Sequence, residues 1–407
     1  MQIIEISNLE QAAEEIAKIG CDPAGTAIMK DKAVSRAIKL TRISVKAALI
    51  LKQEMLSIGG DAVNHRETIS GKIVSTDVLL LGTLAHYRKL TDSLKRQPFG
   101  LPALGEAIAS TLSRYETAPP SLRFPNGTSM DFASSARIMG ILNCTPDSFS
   151  DGGKNMALQD AVAHGQRLIA EGADILDIGG ESSRPGARPV SVEEELQRVI
   201  PVIEALSALP HLDSRVRGND RLISVDTYRA EVARQALSAG AQMINDITAL
   251  NGDPEMAAVV ASAGCPVVLM HMQGTPQTMQ AEPHYEDLIG ELLDFFEARI
   301  RVAIDAGIEE SQIIIDPGIG FGKTVAHNLT ILKHLARLRS LGRPILLGAS
   351  RKSVIGNVLN LPVESRLEGS LATVCFGVAN GANIVRVHDV KETVRAVRMV
   401  EAIRNRD

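Results

Sequence analysis

The chain alternates between short apolar runs and longer amphipathic stretches. From residue 137 onward there are eight short apolar runs, all but the fifth closing on a glycine or polar residue. They are RIMGILN (137–143), DILDIGG (174–180), LISVDTY (222–228), QMINDIT (242–248), PVVLMHM (266–272), QIIIDPG (312–318), PILLGAS (344–350) and NIVRVHD (383–389). Short apolar runs bounded by turn formers predict strands. Between them, apolar residues recur at helical spacing near 156–171, 191–208, 229–239, 254–263, 287–307, 326–341, 363–380 and 391–404. The clearest is DLIGELLDFFEARIRVAIDAG (287–307), which stops on a glycine.

Eight strand–helix units over 137–407 predict an α/β fold, a closed (β/α)8 TIM barrel. A doubly wound open sheet is the alternative. The strand number speaks against it, as does the lack of a G-x-G-x-x-G after the first strand. The segment HLDSRVRGNDR (211–221) breaks the rhythm and reads as a surface insertion on the face away from the chemistry. Residues 1–117 follow another pattern and predict a small α+β domain. A strand is expected at 2–6, a helix at 8–19, a long helix at 31–57 ending before Gly59-Gly60, an apolar run at 75–83, and helices at 84–97 and 101–116. Residues 118–136 are rich in Pro, Ser, Thr and Gly without an apolar period, so they read as a linker.

With 45% hydrophobic and 22% charged residues, the chain has ample material for a core and is not a disordered polymer. A net charge of −5 provides no basic field for nucleic acid, and aromatics at 3% without tryptophan disfavour base stacking. No apolar stretch approaches the ~18 residues of a membrane span. Cys21, Cys144, Cys265 and Cys375 lie far apart with no C-x-x-C pair, which fits a reducing cytoplasm. The start MQIIEISNLEQ has no basic residues followed by an apolar run, so no secretory signal is expected.

In a (β/α)8 barrel the chemistry sits where the strands end. Those ends carry Asn143, Glu181 with Ser183 and Arg184, Asp226, Asn245, His271, Asp316, Ser350 with Lys352, and Arg386 with His388. Asp226, Asn245 and Asp316 offer acceptors and one amide, suited to a flat heterocycle with several N–H groups. For either aspartate alone, a turn or a helix cap is the plainer reading. Ser350, Arg351 and Lys352 follow the seventh strand, and Arg386 and His388 end the eighth, where barrels often bind phosphate. A solvated basic loop is the bland alternative. DPGIGFGK (316–323) is a glycine-rich turn whose spacing is one residue short of a P-loop. TPDSFSDGG (145–153) and ESSRPGARP (181–189) are long for strand–helix connections and suggest covering loops. His65, beside a glycine turn in the first domain, reads as structural.

Taken in order, GILNCTPDSFSDGG, DIGGESSRPGA, SVDTYR, INDI, VLMHMQGTP, DPGIGFGKT, GASRKS and RVHDV resemble the dihydropteroate synthase family of folate biosynthesis. The resemblance covers the barrel and leaves the first 117 residues outside the family's common core. It implies a transferase that joins 6-hydroxymethyl-7,8-dihydropterin diphosphate to p-aminobenzoate and releases pyrophosphate, with Mg2+ as cofactor. By that resemblance Asp226, Asn245, Asp316 and Lys352 hold the pterin, and Lys352, Asp226 and Arg386 carry the catalysis. Arg184, Arg386 and His388 take the diphosphate, and Asn143 helps bind Mg2+. Ser183, Pro185, Phe321 and Ser350 shape the p-aminobenzoate pocket, with Phe149 and Asp151 contributed by the first loop. A homodimer is also implied. Two departures stand out: Ser183 replaces a common Thr but keeps the hydroxyl, and Cys144 replaces an aliphatic residue and reads as a small buried hydrophobe.

Two rival functions share parts of this pattern. A pterin-binding methyltransferase on the same barrel needs the three pterin contacts but not TPDSFSDGG, SSRPGA or the SRK cations. A pterin-binding subunit without turnover is expected to have lost Asn143, Arg184, Lys352 or Arg386, and all four are present.

Overall fold

The computed structural model describes residues 1–144, 154–182, 188–209 and 222–404. The chain divides after Thr117 into two compact units, Met1–Thr117 and Ala118–Asp407.

The first unit runs α1 (Leu9–Lys18), α2 (Pro23–Ala33), β1 (Ser35–Ser44), α3 (Val45–Ser57), β2 (Asp61–Asn64), β3 (Ser75–Thr83), α4 (Leu84–Leu94) and α5 (Leu101–Glu116). Its strands form an antiparallel sheet in the order β1-β3-β2. Along β3, Thr76, Val78 and Leu80 are buried and their neighbours are exposed, the period-two signature of a sheet with one covered face. That face packs on Leu51 and Met55 of α3, Tyr87, Leu90 and Leu94 of α4, and Leu101 and Ile108 of α5.

Two expectations fail here. No strand forms at 2–6, and the helix expected over 31–57 is helix, strand and helix. Residues 35–44 pair with β3 instead, placing Ile38 and Leu40 against the core, and a bulge between Leu40 and Ile43 sets Arg42 at φ 55°. The bulge breaks the alternation in the sequence, which is why the segment reads as helical.

The second unit opens with a small hairpin, β4 (Leu122–Arg123) and β5 (Ser129–Met130). Then come β6 (Arg137–Asn143), α6 (Lys154–Glu171), β7 (Ile175–Gly179), α7 (Val192–Ser207), β8 (Leu222–Asp226), α8 (Ala230–Ser238), β9 (Met243–Asp246), α9 (Met256–Ala263), β10 (Val267–Met270), α10 (Leu288–Asp305), β11 (Ile313–Asp316), α11 (Val325–Lys333), β12 (Leu346–Leu347), α12 (Ser353–Leu359), α13 (Leu367–Ala379), β13 (Ile384–Val387) and α14 (Val390–Arg404). Strands β6–β13 form an eight-stranded parallel sheet, and a bridge from Ile315 to Ile345 closes it into a barrel. Buried on both faces, these strands read as continuous apolar runs.

Alternate residues point to the two sides of the wall. Ile138, Leu176, Ile223, Ile244, Leu269, Ile315, Leu347 and Val385 face the helices. Met139, Ile175, Leu222, Met243, Val268, Ile314, Leu346 and Ile384 fill the interior as a floor, one from each strand. Leu122, Phe124, Met130 and Phe132 of the hairpin segment join that floor layer and are buried. The expected linker at 118–136 is therefore part of the barrel's core. Its buried residues, Leu122 and Phe124 on one arm and Met130 and Phe132 on the other, alternate two apart, a period too short to stand out among the surrounding Pro, Ser and Gly.

The 211–221 insertion lies outside the described residues. Among the described residues no helix is long and apolar enough to cross a membrane.

Candidate active site

Two residues beyond each floor position, the interior turns polar. The second layer consists of Ile141, Asp177, Ser224, Asn245, Met270, Asp316, Gly348 and Arg386, where barrels ordinarily carry Val, Ile and Leu. At the mouth stand Asn143, Gly179, Asp226, Ser350 and His388.

Arg386 organises this layer. Its Nε donates to Asp177 Oδ2 at 2.5 Å and its Nη2 to Asp226 Oδ2 at 2.7 Å. Asn245 Nδ2 also donates to Asp177 Oδ2, at 2.9 Å. Asp177 is wholly buried, and its Oδ1 has no hydrogen-bond partner among the described residues. Burying charge this deeply is costly unless it is paired. Desolvation, countered by Arg386 and reinforced by Asp177, moves the Asp226 pKa upward, and the same two carboxylates hold the Arg386 guanidinium firmly charged.

Asp316 and Lys352 complete the cluster. Asp316 Oδ1 accepts the Gly318 N–H at 2.7 Å, and burial raises its pKa against the pull of Lys352. Lys352 precedes α12; its Nζ donates to Ile319 O at 2.6 Å and lies 4.6 Å from the centre of the Phe321 ring. Burial lowers its pKa to about 8, with Asp316 opposing. Gly348 leaves the common space. A β-carbon there would lie 3.7 Å from Lys352 Nζ, 3.8 Å from Arg386 Cβ and 3.9 Å from Asp316 Oδ2. Gly179 does the same beside Asp226, where a β-carbon would sit 3.4 Å from the aspartate's own Cβ.

Next to this cluster the mouth is apolar on one side and polar on the other. Ile247, Met270, Met279 and Phe321 cluster together, and a cavity of about 340 Å³ runs from Asp226 past Ile247, Met270 and Met272. A second cavity of about 560 Å³ is lined by Asn143, His164, Arg167, Arg351, His388 and Asp389, among others. At its edge Ser350 Oγ lies 3.0 Å from His388 Nδ1 and accepts the His388 N–H at 3.2 Å.

The structure thus brings together Asp226, Asn245, Asp316, Lys352 and Arg386, with Phe321 beside Lys352 and with Asn143 and His388 sharing the second cavity. Arg386, expected on the diphosphate, lies among the carboxylates. Ser183, Arg184, Pro185, Phe149 and Asp151 lie outside the described residues. Cys144 is buried, and its thiol is pushed up to about 12, as suits a small hydrophobe. Sequence reasoning missed Asp177. Its signal was a lone carboxylate within the apolar run ILDIG, two residues before Gly179 and so on the same face.

Among the described residues no three His, Cys, Asp or Glu side chains gather as a metal site. A hard cation such as Mg2+ needs few protein ligands when substrate phosphates supply oxygens. The Asn143 amide, half-buried at the mouth beside the second cavity, fits that limited role.

Residues 139–388 match the family model of pterin binding enzymes. The dihydropteroate synthase of Escherichia coli is 50% identical over 279 residues, covering 69% of this chain and 95% of that protein. The structure of Xanthomonas albilineans dihydropteroate synthase in complex with 7,8-dihydropteroate superposes with a TM-score of 0.62 at 45% identity, covering 71% of this chain and 100% of that one. A probable bifunctional folylpolyglutamate synthase/dihydropteroate synthase of Halobacterium salinarum is 40% identical over 401 residues, 98% of this chain but 47% of that protein. This chain thus spans about half the length of its haloarchaeal relative, and that match takes in the N-terminal unit. The chain belongs to the pterin-binding enzyme family. Within it the barrel is most similar, among these relatives, to dihydropteroate synthases, transferases of folate synthesis.

Proposed function

We propose that the chain condenses 6-hydroxymethyl-7,8-dihydropterin diphosphate with p-aminobenzoate, giving 7,8-dihydropteroate and pyrophosphate. The observation that carries this reading is the convergence of Asp226, Asn245, Asp316 and Lys352 on the space left by Gly348 and Gly179. Carboxylates and an amide there accept and donate to the ring N–H and N groups of a pterin, and the neighbouring apolar cluster covers its faces. Asp177 Oδ1, buried without a partner, is a further acceptor for such a ring.

The diphosphate is assigned to the Asn143 and His388 side of the mouth, with Arg184. Arg386, tied to two carboxylates, acts at the pterin end, where its charge balances theirs. Mg2+, when bound, neutralises charge on the departing diphosphate, and Asn143 is its protein contact in this reading. The C–O bond of the substrate breaks, and the electron-rich dihydropterin carries positive charge on its exocyclic methylene. The carboxylates of Asp226 and Asp316 stabilise that charge by preorganised electrostatics. The neutral aryl amine then forms the C–N bond and loses one proton, so no strong base is required. Phe321 and Ser350, with Ser183, Pro185, Phe149 and Asp151 from the two loops, would hold the amine and exclude water.

The test is Mg2+-dependent formation of 7,8-dihydropteroate, with one pyrophosphate released per product, when both substrates are supplied. Pyrophosphate release without dihydropteroate in the presence of p-aminobenzoate, or no release at all from folded protein, overturns the reading. We also infer a homodimer. Supporting it, Val358, Leu359, Val363 and Phe376, on α12, α13 and the segment between them, are exposed apolar side chains. Light scattering of Phe376→Glu is expected to show half the wild-type mass.

A further inference from the structure

Lys323 ends the glycine-rich run DPGIGFGK, yet the reaction described above gives it no task. Its side chain is 3% exposed. The Lys323 amino group meets three acceptors, Phe321 O at 2.8 Å, His271 Nδ1 at 2.9 Å and His271 O at 3.2 Å, and burial pulls its pKa down to about 7 with Asp316 opposing, so it offers all three N–H donors as the ammonium below that pH. His271, at the exit of β10, can accept because it is neutral: burial and the Lys323 charge drive its pKa down to about 3.

The loop that Lys323 grips is held at every carbonyl from 319 to 322. Ile319 O accepts from Lys352 Nζ at 2.6 Å, Gly320 O from Gln280 Nε2 at 2.8 Å, Phe321 O from Lys323, and Gly322 O from the Tyr285 hydroxyl at 2.8 Å. The backbone is also seated closely on the chain leaving β10. A β-carbon at Gly318, φ +66°, would come within 2.0 Å of His271 O, and one at Gly322 within 2.5 Å of Gln273 O. Two lysine amino groups therefore hold neighbouring parts of one loop. Lys352 does so from within the pocket, and Lys323 does so while shut away from solvent.

We propose that Lys323 is a positioning residue for the amine substrate: it fixes the Phe321 carbonyl and so the placement of the ring that the Lys352 ammonium overlies. The inference rests on the reaction proposed above, in which Phe321 walls the p-aminobenzoate pocket. Lys323 touches neither substrate and acts through Phe321.

The experiment compares Lys323→Met with wild type in the full chain. Wild-type turnover tests the proposed reaction separately; if wild type forms no dihydropteroate, that reading falls and this inference with it. Given wild-type turnover, Lys323→Met is expected to raise KM for p-aminobenzoate at least tenfold. KM for the dihydropterin diphosphate should stay within twofold, since Asp226, Asn245 and Asp316 remain in place. Equal rises in both KM values mean a general structural role and overturn the proposal, as do unchanged values. Should Lys323→Met fail to fold, His271→Leu removes one acceptor and His271→Gln supplies a replacement oxygen. The expected result is a threefold or greater rise in the p-aminobenzoate KM for Leu and recovery for Gln; identical KM values for the two variants overturn it.

Discussion

Arg386 reaches from β13 across two intervening strands to Asp226 at the end of β8, closing a 2.7 Å ion pair between residues 160 positions apart. The same guanidinium engages Asp177 of β7, so one cation ties two carboxylates inside a barrel. A layer that would be costly as isolated charges becomes a fixed polar surface, oriented before any ligand arrives.

That arrangement makes Asp177 a structural support. Removing one partner of a buried pair typically costs about 3–5 kcal/mol. Asp177→Ala is expected to lose about 3 kcal/mol of unfolding free energy, the lower end because Arg386 keeps Asp226. Asp177→Asn retains an acceptor and should lose less. Chemical denaturation of the two variants decides it, and an unchanged midpoint for the alanine variant contradicts the assignment.

Lys352 gives the reaction a pH limit. Burial pulls its pKa to about 8, so the ammonium is lost as pH rises through that value and kcat/KM should fall there. The linkage has the opposite sign for stability: between about 8 and the ordinary lysine value of 10.5 the folded state binds fewer protons than the unfolded one, so this group's contribution becomes more favourable as pH rises. Lys352→Met is expected to cut turnover by about 10²–10³, in the range for deleting a preorganised electrostatic donor, and to abolish the descending limb near pH 8. A limb that persists in the methionine variant belongs to another group.

Gly348 and Gly318 should separate binding space from backbone need. At Gly348 an added methyl meets its neighbours at 3.7–3.9 Å, ordinary contact distances, but occupies the shared pocket. Gly348→Ala is expected to melt like wild type while losing tenfold or more in pterin affinity by calorimetry. At Gly318 the positive φ and the 2.0 Å approach to His271 O leave no room at all. Gly318→Ala should lower the melting temperature by several degrees. Reversal of these two outcomes would mean the pocket lies elsewhere.

The floor hairpin sets where the N-terminal unit can be removed. A chain beginning at Ala118 keeps Leu122, Phe124, Met130 and Phe132, and is expected to be folded and to retain turnover. One beginning at residue 137 loses four buried side chains, each stabilising by about 1.5–3 kcal/mol, and is expected to aggregate. Comparing soluble yield and pyrophosphate release for the two truncations checks this. Equal behaviour would return 118–136 to the status of a linker.

The chain's own order of residues determined the barrel's strands, because parallel strands buried on both faces must be apolar throughout and must end in turn chemistry. It also announced Asp226, Asn245, Asp316, Lys352 and Arg386, since polar groups at such ends are visible one strand at a time. Tertiary structure alone decided which of these groups meet. Arg386 pairs with two carboxylates because barrel closure brings β13 near β7 and β8, a relation no local window contains. Closure likewise turned a Pro- and Ser-rich stretch into the floor, and pairing with β3 made a strand of 35–44. In each case contacts between segments distant in sequence supplied more free energy than the local conformational preference of the segment itself.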